Sequence, residues 1–174
     1  GTFAFVDVDV LPMDRDVRLS SQTVVVRDGR ITAIGPRDDI EVPDDATRID
    51  GSERVLMPGL AEFHGHVPGG DDPVYVQDTL DLYLANGITL VRNMSGDVSH
   101  PELRARIERG EVNGPTIVVA SPWLRSESAD EAEREVRAHH AAGFDLVKIG
   151  SIPADAYPRM AETAHAVGIP FAGH

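Results

Sequence analysis

A chain of 174 residues with 41% apolar side chains is long enough to bury an ordinary domain core. Its formal net charge of −13 argues against nucleic acid or an anionic membrane as a partner, because both need clustered Lys and Arg. There is no cysteine, so disulfides and thiolate metal sites are excluded; a metal would have to sit on His, carboxylate or modified Lys.

No apolar run approaches the roughly 18 residues of a membrane span. Gly1-Thr2 open directly on a strand-like pattern, so any signal peptide would lie upstream of Gly1. The composition suits a cytoplasmic or a periplasmic or secreted setting equally.

Residues 1–56 have the pattern of a small antiparallel β module. Over residues 3–11, Phe5, Asp7 and Asp9 alternate with Val6, Val8 and Val10. Strands are expected at 23–27 and 30–34, joined by Asp28-Gly29, a pair that accepts positive φ at both central positions of a hairpin turn. Residues 36–45 are polar and carry prolines, which predicts a loop, and shorter strands follow at 48–49 and 54–57.

From residue 57 strands alternate with helices. Strands are expected at 57–64, 88–93, 116–120, 144–149 and 169–174, and helices at 74–85, 101–109, 129–142 and 156–167. Asn86-Gly87, Gly110, Gly143 and Gly168 stand where helices should stop. Ser128-Ala129-Asp130-Glu131 has the form of a capping box, and Asp155 is the expected cap of the last helix. Such alternation implies parallel strands with right-handed crossovers, either in an open doubly wound sheet or in part of a (β/α)8 barrel. No Gly-x-Gly-x-x-Gly follows a strand, which weakens the dinucleotide-binding version.

The chemistry gathers at strand ends. Leu56-Met57-Pro58-Gly59-Leu60-Ala61-Glu62-Phe63-His64-Gly65-His66 is an apolar run ending in two histidines at i, i+2. On a strand that spacing puts both imidazoles on one face, roughly 6.5–7 Å apart along the chain. Two imidazoles are half of a shell for a divalent metal such as zinc. Lys148 closes Phe144-Asp145-Leu146-Val147-Lys148, where period 2 puts Phe144, Leu146 and Lys148 on one face. It is either a lysine reaching for solvent or one whose neutral amine captures carbon dioxide and becomes an anionic oxygen ligand. His174 ends the last strand, whereas His100, His139, His140 and His165 are expected on the surface. Catalytic groups at the C-terminal ends of parallel strands favour the barrel over the open sheet. The loops at 93–97 and 121–123 stand where substrate contacts would come from.

On these residues the chain resembles the amidohydrolase superfamily, in its imidazolonepropionase-like and prolidase-like branch. Residues 58–66 are similar to the superfamily's first barrel strand, 86–93 to its second, 145–149 to its fourth and 169–174 to its fifth. The resemblance implies an α/β fold: the first five strands of a (β/α)8 TIM barrel over residues 57–174, preceded over residues 1–56 by the N-terminal part of a composite β-sandwich. It implies that His64 and His66 bind the more buried of two zinc ions. Lys148, as its carbamate, would bridge the two ions, and His174 would bind the more exposed one. Glu62 stands where the family usually has Asp.

The implied activity is hydrolysis of an amide-type carbon–nitrogen bond by metal-activated water. The substrate would be a small amide, dipeptide or lactam, and the full-length parent a homo-oligomer. A strand-six His and the general-base Asp of strand eight would fall beyond residue 174. These 174 residues alone are therefore expected to lack hydrolase activity, as a portion of a protein of about 400 residues. The alternatives are a non-catalytic relative that keeps the fold as a binding or assembly scaffold, and an open-sheet protein of unrelated chemistry.

Overall fold

Asp28 and Gly29 both adopt positive φ, 49° and 75°, and turn β2 (Leu19–Arg27) into β3 (Arg30–Pro36). This computed structural model describes residues 1–70 and 72–173, and it divides into two compact units, Gly1–Pro58 and Gly59–His174.

In the first unit β1 (Thr2–Val10) is central. The sheet order is β3-β2-β1-β4, with β4 (Thr47–Asp50) and then β5 (Val55–Leu56) sharing one edge of β1. β1, β2 and β3 pair antiparallel, but β4 and β5 run parallel to β1. The module is therefore mixed rather than antiparallel. The chain leaves β3 through residues 37–46, long enough to cross to the far edge of β1 and enter it in β1's own direction, which a two-residue turn could not do.

The alternation of β1 is interrupted too. Its register against β2 shifts between Val6 and Val8 and again between Val8 and Val10, an extra residue on each strand in turn. Asp7 and Ser21 take positive φ there, 62° and 52°. The Asp7 carboxylate accepts from the Ser21 hydroxyl and from Arg37 (3.0 Å), and Asp9 accepts from the Ser21 N–H (2.9 Å) and Arg18 (2.7 Å). These acidic residues brace a double bulge, and the core beside it is a small cluster of Val8, Val10 and Val24.

The second unit alternates regularly: β6 (Leu60–Gly65), α1 (Pro73–Ala85), β7 (Ile88–Asn93), α2 (His100–Glu108), β8 (Thr116–Val119), α3 (Ala129–Ala141), β9 (Val147–Ile149), α4 (Tyr157–Val167) and β10 (Phe171–Gly173). β6-β7-β8 and β9-β10 pair in parallel, and the isolated parallel bridges Ala120↔Leu146 and Leu124↔Ile149 join the two groups.

Period 2 along these strands separates two faces. Leu80 of α1 and Leu103 of α2 pack on Val91, Ile117 and Val119. Ala132 and Val136 of α3, with Met160 and Ala164 of α4, pack on Val147 and Ile149. The opposite face holds a cluster without helical members: Met94, Ala120 and Leu146, with Val118 and Ala172 beside it. Helices on one face of a parallel sheet describe a barrel wall; a doubly wound sheet carries them on both.

Several element ends differ from the sequence reading. β6 begins at Leu60 rather than residue 57, because Pro58 has no N–H to give a ladder. β9 is three residues long. Ahead of it, the Asp145 carboxylate accepts from the Val119 N–H (2.7 Å) and from Arg104 (2.5 Å), so a side chain replaces ladder bonds. Phe144 consequently packs on the helix side rather than sharing a face with Leu146 and Lys148. Ser128 caps α3 as its motif predicts, accepting from the Glu131 N–H (3.3 Å). The return bond from Glu131 goes to the Glu127 N–H (2.7 Å). Asp155 does not cap α4: the N-cap is Ala156, with no side-chain bond. Among the described residues no helix is long and apolar enough to cross a membrane.

Candidate functional site

β6 carries His64 one residue before its end, and His66 lies just past it. Both are exposed, and their ring centroids stand 5.7 Å apart at an interplanar angle of 45°. The pairing of the two imidazoles is thus present, although β6 is irregular against β7 between Glu62 and Gly65. Glu62 folds back on its own strand, its carboxylate accepting from the His64 N–H (2.8 Å).

Lys148 sits in the middle of β9 with 1% of its surface exposed. It alternates with Val147 and Ile149, so it shares the helix-free face with Leu146. Its Nζ lies 5.4 Å from the centre of the Trp123 ring, and the Arg125 guanidinium approaches the same ring at 5.2 Å. Its N–H donates to the Ser121 hydroxyl (3.0 Å), which donates in turn to the Pro122 carbonyl (2.7 Å). Among the described residues the Lys148 ammonium meets no carboxylate at ion-pair distance.

His174 lies outside the described residues. Among those described, no group of three or more His, Cys, Asp or Glu stands together as a metal set. The structure therefore brings His64 and His66 together and buries Lys148 within a short parallel strand. Two adjacent imidazoles are donors that suit zinc, and Lys148 would add an oxygen ligand as its carbamate. Open cavities border these strand ends. One of about 700 Å³ is lined by Ile149, Ser151, Tyr157 and Phe171, and a smaller one of about 250 Å³ by His66, Gly69, Ser95 and Asp97.

His100 is not on the surface: it is fully buried. Its Nδ1 receives the Asp97 N–H (3.0 Å) and the Asn93 amide (2.9 Å), so Nδ1 is unprotonated, and Nε2–H donates to the Pro68 carbonyl (3.3 Å). Burial pushes the His100 imidazole below the usual histidine range, against smaller opposing pulls from the Pro68 carbonyl and the Asp97 carboxylate. His139 is also half-buried, packed edge-on against Phe144, and burial lowers it in the same way. His140 and His165 are exposed as expected.

Asn93 is fully buried with its amide committed: Oδ1 accepts from the Val67 and Ser95 N–H groups, and Nδ2 faces His100 and the Ser95 carbonyl. It supports the loop rather than offering itself to a ligand. The loop it opens presses against the end of β8. At Gly96 a side chain would meet the Ser121 carbonyl oxygen at 2.1 Å, which only glycine avoids. Hints of this network existed in the sequence, in an Asn ending a strand and in the helix-entry string Asp97-Val98-Ser99-His100. Neither hint says that the imidazole points inward.

No family model matches the sequence. Among curated proteins the chain is 45% identical over 53 residues to an enamidase of Eubacterium barkeri, covering 30% of this chain and 14% of that protein. It is 34% identical over 55 residues to an imidazolonepropionase of Rhizobium rhizogenes, covering 31% and 14%. Among solved structures it superposes on a candidate prolidase from Bifidobacterium longum with a TM-score of 0.85 at 25% identity, covering 99% of this chain and 49% of that one. A Xaa-Pro dipeptidase with bound methionine gives 0.81 at 18% identity, covering 100% and 56%, a likeness of fold alone.

These relatives and structures point to the amidohydrolase superfamily, whose enzymes of these names act on carbon–nitrogen bonds. The fold is accordingly the mixed α/β fold of amidohydrolase TIM-barrel proteins. The chain spans about half the length of the solved structures that it matches.

Proposed function

We propose that residues 57–174 form the first five β/α steps of a (β/α)8 barrel in a metal-dependent amidohydrolase, with residues 1–56 contributing to a β-sandwich. His64, His66, Lys148 and His174 would hold zinc, two ions bridged by carboxylated Lys148. The observation that carries this reading is Lys148: a lysine 1% exposed in the middle of a parallel strand, with no carboxylate at ion-pair distance among the described residues. Its Nζ stands beside the Trp123 ring on the helix-free side of the strands, and carbon dioxide would turn that amine into a carbamate, an anionic oxygen ligand for a metal.

Bound zinc would supply hydroxide from water near neutral pH and polarise the substrate carbonyl. The chain's own residues would do the placing. β6 presents the two imidazoles side by side, Glu62 holds the strand end through the His64 N–H, and Ser121 fixes the Lys148 backbone. The substrate is proposed to be a small amide, dipeptide or lactam. The 174 residues by themselves are proposed to be inactive, and the whole protein a homo-oligomer.

The test is metal analysis and amide hydrolysis on the full-length protein, beside His64→Ala and His66→Ala. Bound zinc that disappears in both variants, together with hydrolysis, is the expected result. A metal-free wild-type protein with an unmodified Lys148 would instead favour a non-catalytic scaffold.

A further inference from the structure

The strand ladder holding the His64-Gly65-His66 segment ends with the Met94 N–H donating to the Gly65 carbonyl (2.9 Å). Beyond that point the chain would be free to leave in many directions, yet the next three residues are held one by one, each by a side chain from a different element. The Tyr83 hydroxyl, from α1, accepts the His66 N–H (3.1 Å) and donates to the His66 carbonyl (3.2 Å). Asn93, at the end of β7, accepts the Val67 N–H (3.0 Å). His100, at the start of α2, donates to the Pro68 carbonyl (3.3 Å).

The three holders are themselves tied. Asn93 donates to His100 Nδ1, and both side chains are fully buried. Gly65 belongs to the same device. A side chain there would meet Val91 at 2.5 Å and the Tyr83 hydroxyl at 2.9 Å, so the glycine between the two histidines lets Tyr83 reach the backbone.

We infer that Tyr83, Asn93 and His100 are positioning residues that aim the His66 imidazole at its partner by clamping the backbone of residues 66–68. This inference rests on the metal reading proposed above. The physical reason is geometric. His66 lies past the end of the strand, so its Cα–Cβ direction is not fixed by the sheet, and a metal pair tolerates little misplacement. Side chains that bind no metal but orient those that do typically change metal affinity about 10–100-fold when removed.

The experiment uses the full-length protein and two readouts: zinc affinity by chelator competition, and the visible spectrum of the cobalt-substituted form, which reports ligand geometry. Tyr83→Phe keeps the ring and deletes both bonds to His66. It should weaken zinc binding about 10–100-fold and shift the cobalt spectrum. His100→Leu should do the same, and His100→Gln, which restores a donor towards the Pro68 carbonyl, should recover part of the loss. Val24→Ala, a destabilising change in the core of the first unit, should leave the cobalt spectrum as it is.

Wild-type affinity and spectrum in Tyr83→Phe, with metal lost in His66→Ala, would overturn the clamp and leave the metal reading standing. A wild-type protein without metal, or one whose zinc survives His66→Ala, would remove the metal reading and the clamp with it.

Discussion

β6 and β9 are both parallel strands of the second unit, both carry a residue of metal-binding chemistry one position before their last, and they treat that residue in opposite ways. β6 is largely exposed, pairs with β7, and leaves Phe63, His64 and His66 open. Its order comes from polar side chains gripping the backbone: Glu62 on the His64 N–H, Arg92 on the Phe63 carbonyl, Tyr83 on His66. β9 is buried over all three residues, backed by Val136, Met160 and Ala164, and its lysine is enclosed beside Leu146 and Trp123. An imidazole can be neutral and hydrated until metal arrives, so it needs aim more than shelter. Lys148 is enclosed instead, with 1% of its surface exposed. Under the proposed reading, one strand would contribute ligands aimed by hydrogen bonds and the other a ligand held by packing.

Paired substitutions sharpen this contrast most strongly. Lys148→Met and His66→Ala should each abolish bound zinc and lower hydrolysis by the full-length protein more than 100-fold, beyond the range of an outer-shell change. Replacing the enclosed, carboxylate-free lysine by an apolar side chain of similar length is expected not to destabilise the metal-free protein. The exposed His66 should change metal-free stability by about 0.5 kcal/mol or less. Denaturant titrations of the metal-free variants decide this, and a strongly destabilised Lys148→Met would break the comparison by making the lysine a structural element.

Next in size is Met160→Ala, beneath β9. It is expected to cost roughly 2–5 kcal/mol because the fully buried side chain leaves a cavity, measured by the same titrations. If β9 positions Lys148 through packing, the variant should also lose zinc affinity. Smaller is Ser128→Ala at the start of α3, expected to cost about 1 kcal/mol through the lost cap.

The gentlest test uses pH. His100 is harder to protonate folded than unfolded, chiefly through burial, with the Asp97 carboxylate and the Pro68 carbonyl opposing. The unfolded chain therefore takes up the proton first as pH falls. Stability due to His100 should be complete above about pH 6.5 and decline below it, until the folded imidazole also protonates. The difference between wild type and His100→Gln across pH 5–8 isolates this contribution, and a flat difference would contradict it.

Much of this was legible in the chain. The Asp28-Gly29 turn, the Ser128 cap and the glycines closing helices obey local rules, because a turn or cap depends on a few neighbouring residues. β7 is the strand at 88–93 that its pattern predicts, since its alternation is undisturbed. Misreadings arose where a distant partner intervened. Asp145 gives its carboxylate to Val119 and so shortens β9, and Asp7 and Ser21 insert compensating bulges that no count along one strand reveals. His100 looked like a surface histidine because a polar residue at a helix start is usually solvated. Its burial depends on the Pro68 carbonyl, 32 residues away in sequence.

By itself the sequence determined the alternation of strands and helices, the pairing of His64 with His66 where one strand ends, and the placement of Lys148 on another. These are properties of period and spacing, which the backbone imposes wherever a strand forms. Only the tertiary structure decided which face each strand turns to the helices, that Lys148 lies on the helix-free side, and that Tyr83, Asn93 and His100 close on the backbone after His66. Those outcomes depend on which buried polar groups can satisfy one another across elements, and that pairing exists only once the elements have packed.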